Sequence, residues 1–296
     1  MISNGKFYES QFEEATIELL REAHWQYAFG DDIHRKYTDP LIEEDLRNFL
    51  AVQYKDKNLT TSEMDSIVAN LRNTGGQNDY YALRNTFLLY RDGYDFAYSD
   101  GRSNPFRLEY IDFEHPDHNI FRCVNQFVME QGRENRRPDI LLFINGIPVC
   151  IIELKNPTKQ NATIHDAHTQ ICTRYMRDIP ALLKYCALAV ISDGAKNALG
   201  ATYTPFEFFY EWKKIENEDK AGKGLDTLRT LIRGAISPER ILEILRDYVY
   251  FPDPTKEDDT TEIVCRYPQF FATRKLRDHI LNHLRSVGGD GKGGTY

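Results

Sequence analysis

Two carboxylates and a lysine stand at the ends of two adjoining apolar runs. Asp139 follows Pro138 and opens the run Ile140–Ile144, and Glu153, Leu154 and Lys155 close the run that begins at Ile147. Ionised groups at the ends of buried strands lose hydration, and they persist where a ligand or partner compensates. Two carboxylates a few ångströms apart disfavour each other's charge and suit a hard divalent cation held through oxygen. Glu153 and Lys155, two apart on a strand, face the same side. The Asn145-Gly146 dipeptide between the runs is a hairpin signal. A strict two-residue turn there pairs Asp139 with Ile152 and sends Glu153 to the opposite face. Convergence of the two acids therefore demands a three-residue connection or a bulge near residues 145–148. Pro148 fits, because proline cannot donate in a ladder and belongs at a strand start or a bulge.

The elements that must position these groups are legible in coarse form. Residues 9–23 read as an amphipathic helix, with Phe12, Ala15, Thr16, Leu19, Leu20 and Ala23 at helical spacing and Glu9 and Glu13 sharing a face. Further helices are expected over residues 40–53, 62–73 and 79–92. The period then changes. Residues 106–113 and 121–129 read as strands, followed by the hairpin, a helix over 163–175, and an apolar buried strand over 185–192. Pro180 stops the helix. Two helices are expected over 225–234 and 237–249, the latter with Ser237 as cap and Pro238 at the first position. Residues 251–261, rich in proline and acid, form the best candidate boundary. A short amphipathic helix over 268–286 precedes a glycine run, a finish that suggests a piece of a longer protein.

Bulk properties bound the function. The 296 residues are 41% hydrophobic and 28% charged, ordinary for a globular protein of one large or two smaller domains. No run of 18 apolar residues and no charged-then-apolar leader appear, so no membrane span or signal peptide is expected. Five scattered cysteines, none in a C-x-x-C pair, read as reduced thiols of a cytoplasmic protein. The net charge of −8 argues against a non-specific nucleic-acid coat. The charge is uneven, however. Residues 1–120 hold 12 Lys and Arg against 22 Asp and Glu, whereas residues 121–184 hold 9 against 6. The more basic part contains the hairpin, which is compatible with DNA binding.

The hairpin resembles the PD-(D/E)xK nuclease pattern: Pro138-Asp139, then Glu153-Leu154-Lys155. The resemblance implies phosphodiester hydrolysis with Mg2+ held by Asp139, Glu153 and the carbonyl of Leu154, and with Lys155 orienting the attacking water and stabilising transition-state charge. The chain as a whole resembles the N-terminal part of the R subunit of type I restriction enzymes. That family carries the RecB-like variety of the site, with a Gln-x-x-x-Tyr on the following helix. Gln170 matches the glutamine. Tyr175 lies five positions on rather than four, about 500° around an α-helix, so Arg174 occupies the expected face instead; either is a candidate for positioning loop or DNA. The alternative for Tyr175 is a core tyrosine. Tyr8-Glu9-Ser10-Gln11-Phe12-Glu13 resembles the family's opening helix, from which Glu13 or Glu9 would reach the metal; a solvated charge is the alternative for each. Val190-Ile191-Ser192-Asp193-Gly194 and residues 204–212 also look like the family. Arg266-Tyr267-Pro268-Gln269 resembles the segment ahead of the family's motor, where Gln269 and Arg266 would contact nucleotide; a plain helix start is the alternative.

The resemblance implies an α/β fold of the restriction-endonuclease-like type, a central mixed β-sheet flanked by helices. It divides the chain into a nuclease domain (1–250), a linker (251–261) and the start of a motor (262–296). It also implies cleavage of double-stranded DNA, coupled to ATP-driven translocation in a complex with modification and specificity subunits. A stand-alone repair or defence nuclease and a non-catalytic DNA-binding or assembly module are the alternatives. Three histidine pairs (His115/His118, His165/His168, His279/His283) have metal-like spacing, but no cysteine or third histidine follows at ligand spacing, so surface or satisfied histidines are expected. Gly291-Lys292 is followed by Gly293, where a phosphate-binding loop requires Ser or Thr.

Overall fold

A computed structural model describes residues 4–155, 163–216, 222–252 and 260–285, the side chains of 4–9 and 284–285 excepted. Glu9, the centre of the expected linker (253–259) and the final glycine run therefore lie outside the described residues or side chains. Among the described residues the centre is a six-stranded mixed sheet. Its strands are β1 (Gln26–Phe29), β2 (Phe121–Asn125), β3 (Ile140–Ile144), β4 (Ile147–Leu154), β5 (Leu188–Ser192) and β6 (Asn197–Ala201), neighbours in that order. β1 runs parallel to β2 and β4 parallel to β5, and the remaining pairs are antiparallel. The parallel β4–β5 pair needs a crossover, and α5 and the turns after it lie within that connection. The helices α1 (Asn4–Glu22), α2 (Glu43–Gln53), α3 (Thr61–Asn73), α4 (Asp79–Asp92), α5 (Ile164–Thr169), α6 (Leu225–Leu231), α7 (Pro238–Asp247) and α8 (Tyr267–Arg285) flank the sheet.

Every residue of β3, β4 and β5 is buried, as a strand covered on both faces requires. Alternate residues serve two cores. Ile140, Leu142, Ile144, Ile152 and Val190 meet Leu20, Leu46, Phe87 and Leu245 on the side of α1–α4 and α7. Leu141, Phe143, Ile151 and Ile191 meet Ile171, Tyr175, Ile179 and Leu182 on the side of α5.

The hairpin resolves its register as expected. Asn145 and Gly146 form a two-residue turn with φ of 50° and 75°, the backbone of the primed turns that match strand twist. The ladder pairs Ile144 with Ile147 and Phe143 with Pro148, then skips to pair Leu142 with Cys150. Val149 is the extra residue, a bulge directly after Pro148. Val149 and Cys150 accordingly both face the α1–α4 core, and beyond them Ile140 pairs with Ile152. Asn145 is fully buried and anchors the turn: its amide nitrogen donates to Tyr110 O (3.0 Å) and Asn119 Oδ1 (2.8 Å), and its Oδ1 accepts from Ile120 N (2.8 Å).

Some elements differ from the sequence reading. The expected strand over 121–129 ends at Asn125, because Gln126 adopts a left-handed φ of 55° and turns the chain out of the sheet. The strand over 106–113 shrinks to Phe106–Leu108, paired with Tyr94–Phe96 in a separate ribbon. β1 and β6 were not anticipated. β6 (Asn-Ala-Leu-Gly-Ala) lacks β-branched residues, and its Gly200 lies where a Cβ would meet the Phe209 ring at 2.6 Å. On either side of residues 253–259, Val249–Tyr250 pairs with Ile263–Val264, and Phe251, Val264 and Phe270 join the larger core.

Gly146 has no room for a side chain, since a Cβ there would meet Ile42 O at 2.1 Å. Gly146→Ala is expected to destabilise the chain by roughly 3 kcal/mol, combining a left-handed φ with a backbone clash; urea denaturation checks this.

Candidate functional site

The bulge brings Asp139 opposite Glu153. Both then share the parity of Leu141 and Ile151, and so the α5 face of the sheet. Asp139 Oδ2 accepts from Leu154 N at 2.7 Å, which locks one strand's acid to the other strand's end. Glu153 is 1% exposed. Burial first, then the Asp139 charge, pushes its carboxyl well above the usual carboxylate range, while Lys155 and the Tyr175 hydroxyl pull the other way. Lys155 Nζ donates to Glu153 Oε1 at 2.8 Å and to Gln170 Oε1 at 2.6 Å. Among the described residues Glu153 Oε2 is buried with no hydrogen-bond partner. A buried oxygen of this kind fits a place left for a cation.

Gln170 and Tyr175 meet by a route that α-helical spacing did not foresee. Residues Gln170–Tyr175 form a π-helical turn continuing α5. With i→i+5 bonding, the fifth residue returns to the starting face. Gln170 Nε2 therefore donates to Tyr175 Oη at 2.7 Å, and Tyr175 is buried in the core facing Glu153. Arg174, assigned to that face by the α-helical reading, is exposed instead. The line Glu153–Lys155–Gln170–Tyr175 thus has every adjacent pair in hydrogen-bond contact.

Glu13 approaches from α1. Asn125 Nδ2 donates to its Oε1 at 2.7 Å, and Gln126 Nε2 donates to both of its oxygens at 2.9 and 3.0 Å. The Gln126 backbone N–H donates in turn to Asp139 O at 3.2 Å, so one residue ties the helix acid to the strand acid. The sequence reading missed Asn125 and Gln126. The available signal was a pair of amides interrupting the apolar run 121–129.

The other candidates are placed differently. Arg266 lies just before α8: its N–H donates to Gln269 Oε1 at 2.8 Å, and its guanidinium lies 4.0 Å from the Tyr210 ring centroid. The first is a contact within the start of the helix and the second is a tertiary one. Arg136 donates to the buried Asp178 at 2.7 Å, a structural pairing, whereas Arg133, Arg137 and Arg174 are exposed. All five cysteines are free thiols. No described helix is long and apolar enough to cross a membrane.

Residues 6–208 match the family described as Type I restriction enzyme R protein N terminus (HSDR_N). The chain belongs to that family. Among individual relatives, it is 29% identical over 286 residues to the Type I restriction enzyme HindI endonuclease subunit of Haemophilus influenzae. It is 27% identical over 296 residues to the Putative type I restriction enzyme MjaIXP endonuclease subunit of Methanocaldococcus jannaschii. Each match covers 92% of this chain but only 27% and 28% of the relative. The chain spans about a quarter of the length of these relatives.

A carboxyl whose folded pKa is raised weakens the fold as pH climbs from its unfolded value (~4.3) towards the folded one, because the folded state keeps the proton longer. Glu153→Gln removes that cost. It is expected to raise stability by on the order of 1–3 kcal/mol near pH 8 and to change little near pH 4. Thermal unfolding of both proteins across that range checks the sign.

Proposed function

We propose that this chain is the nuclease region of a type I restriction R subunit, with a RecB-like PD-(D/E)xK site that cleaves double-stranded DNA. The observation that carries the reading is the bulge at Val149, which sets Asp139 and Glu153 on one face beside Lys155. A structural hairpin has no need to gather two acids and a lysine at one buried point.

Asp139 and Glu153 would hold Mg2+, with the Leu154 carbonyl and Glu13 as further oxygens; the unpartnered Glu153 Oε2 fits that role. When bound, the ion polarises a phosphoryl oxygen and lowers the pKa of a bound water. The remaining work falls to the chain's own residues. Lys155, fixed between Glu153 and Gln170, keeps its ammonium on the carboxylate face, where it orients the attacking water and stabilises charge growing on the phosphate. Tyr175 accepts from the Gln170 amide and so turns the Gln170 oxygen towards Lys155. Exposed Arg133, Arg137 and Arg174 suit contacts to the DNA backbone, which position a duplex without reading its sequence. In the full protein this region would act in the cytoplasm with an ATP-driven motor and with modification and specificity subunits.

The test is Asp139→Ala in the full-length protein within its complex. DNA cleavage is expected to fall by ~10²-fold or more, the scale of losing one transition-state-stabilising group, while ATP hydrolysis is retained. Unchanged cleavage overturns the reading.

A further inference from the structure

His115 and His118 acquire a third ligand from upstream. Asp112 lies three residues before His115, and its Oδ2 is 3.3 Å from His115 Nδ1 and 2.9 Å from His118 Nδ1. Among the described residues this is a cluster of three ligand atoms lying within 4.8 Å of one another. The two imidazoles stack with centroids 4.8 Å apart and planes 23° from parallel, so both Nδ1 atoms address the same oxygen. The sequence reading sought a cysteine or a third histidine after the pair, and so passed over an aspartate before it.

The hydrogen-bond accounting at Asp112 points to a cation. Its Oδ1 is committed to the backbone N–H groups of Glu114 (3.0 Å) and His115 (2.9 Å). Its Oδ2 also accepts from Gln53 Nε2 at 3.1 Å. Three nitrogens therefore address one oxygen that has about two lone-pair sites. One divalent ion removes the excess: it takes one lone pair of Oδ2 and the Nδ1 lone pairs of both rings, and Gln53 keeps the other lone pair. The spacing agrees. Metal bonds of 2.0–2.2 Å in a tetrahedral arrangement give ligand–ligand separations of about 3.3–3.5 Å; the His115 separation of 3.3 Å falls there, and the His118 one of 2.9 Å opens slightly on binding.

The surroundings are those of a prepared site. The Asp112 side chain is buried, while both rings are largely exposed, leaving an approach for the ion and positions for water. Asn119 holds the loop shut, with its Oδ1 accepting from Asp112 N and its Nδ2 donating to Asp112 O at 2.7 Å. Gln53, at the end of α2, supplies the outer contact that orients a metal-binding carboxylate. We propose that Asp112, His115 and His118 bind one zinc-type divalent transition metal, separate from the acids proposed for Mg2+. Imidazole nitrogens select such metals over magnesium. The ion clamps the loop carrying Asn119, which in turn receives the Asn145 amide of the hairpin turn.

Zn2+ binding to the chelator-stripped chain tests this, using stoichiometry by elemental analysis and melting temperature, in an Asp139→Asn/Glu153→Gln background that disables the proposed Mg2+ site. One bound equivalent and a raised melting temperature are expected, both lost in the added His115→Ala/His118→Ala pair, whose exposed side chains leave the core intact. Gln53→Ala is expected to weaken binding by about 10–100-fold. No bound equivalent, or an equivalent that survives loss of both histidines, overturns the proposal.

Discussion

One extra residue in one strand governs the geometry of this molecule. Without Val149 the β3–β4 ladder would keep the pairing set by its turn, and Asp139 and Glu153 would lie on opposite faces of the sheet. The turn cannot drift to compensate. Asn145 is held by three hydrogen bonds, and Gly146 is pressed against the backbone of Ile42. The register is therefore fixed at one end by the turn and shifted at one place by the bulge. β5 and the crossover helix build outward from the strands so aligned, which is why Lys155 and Gln170 meet where they do.

That alignment carries a thermodynamic tension. A carboxyl with 1% exposure, beside a second acid and only partly offset by a lysine, opposes folding unless something binds it. Stability lost at a site like this is commonly the counterpart of function. The rest of the sheet offsets it through strands that are apolar on both faces. The polar side chains around the site also support one another: Asn125 and Gln126 both donate to Glu13, and Gln170 spans a lysine and a tyrosine.

The sequence was most informative where period and chemistry agreed. α4 and the all-apolar strands were read closely because spacing and burial pointed the same way, and the bulge followed from requiring two acids to meet. Reading failed where tertiary packing overrode local preference. β6 is built of small residues that are strands only because a neighbour and a phenylalanine ring cover them. Gln126 leaves its strand through a left-handed backbone that no apolar pattern encodes. The Asp112 cluster escaped notice because only a cysteine or a third histidine after the pair was sought.

The turn from Gln170 to Tyr175 shows how a helix can bring two side chains together at a five-residue spacing. A helix that gains one position normally rotates everything beyond it by about 100°, which would spoil the packing of Met176 and Ile179. Widening a single turn confines the extra spacing locally: Thr173 and Arg174 are exposed, while Cys172 still packs against the core. A motif written as a fixed count of residues is therefore really a statement about pitch. A helix can change the count and keep the same two side chains face to face.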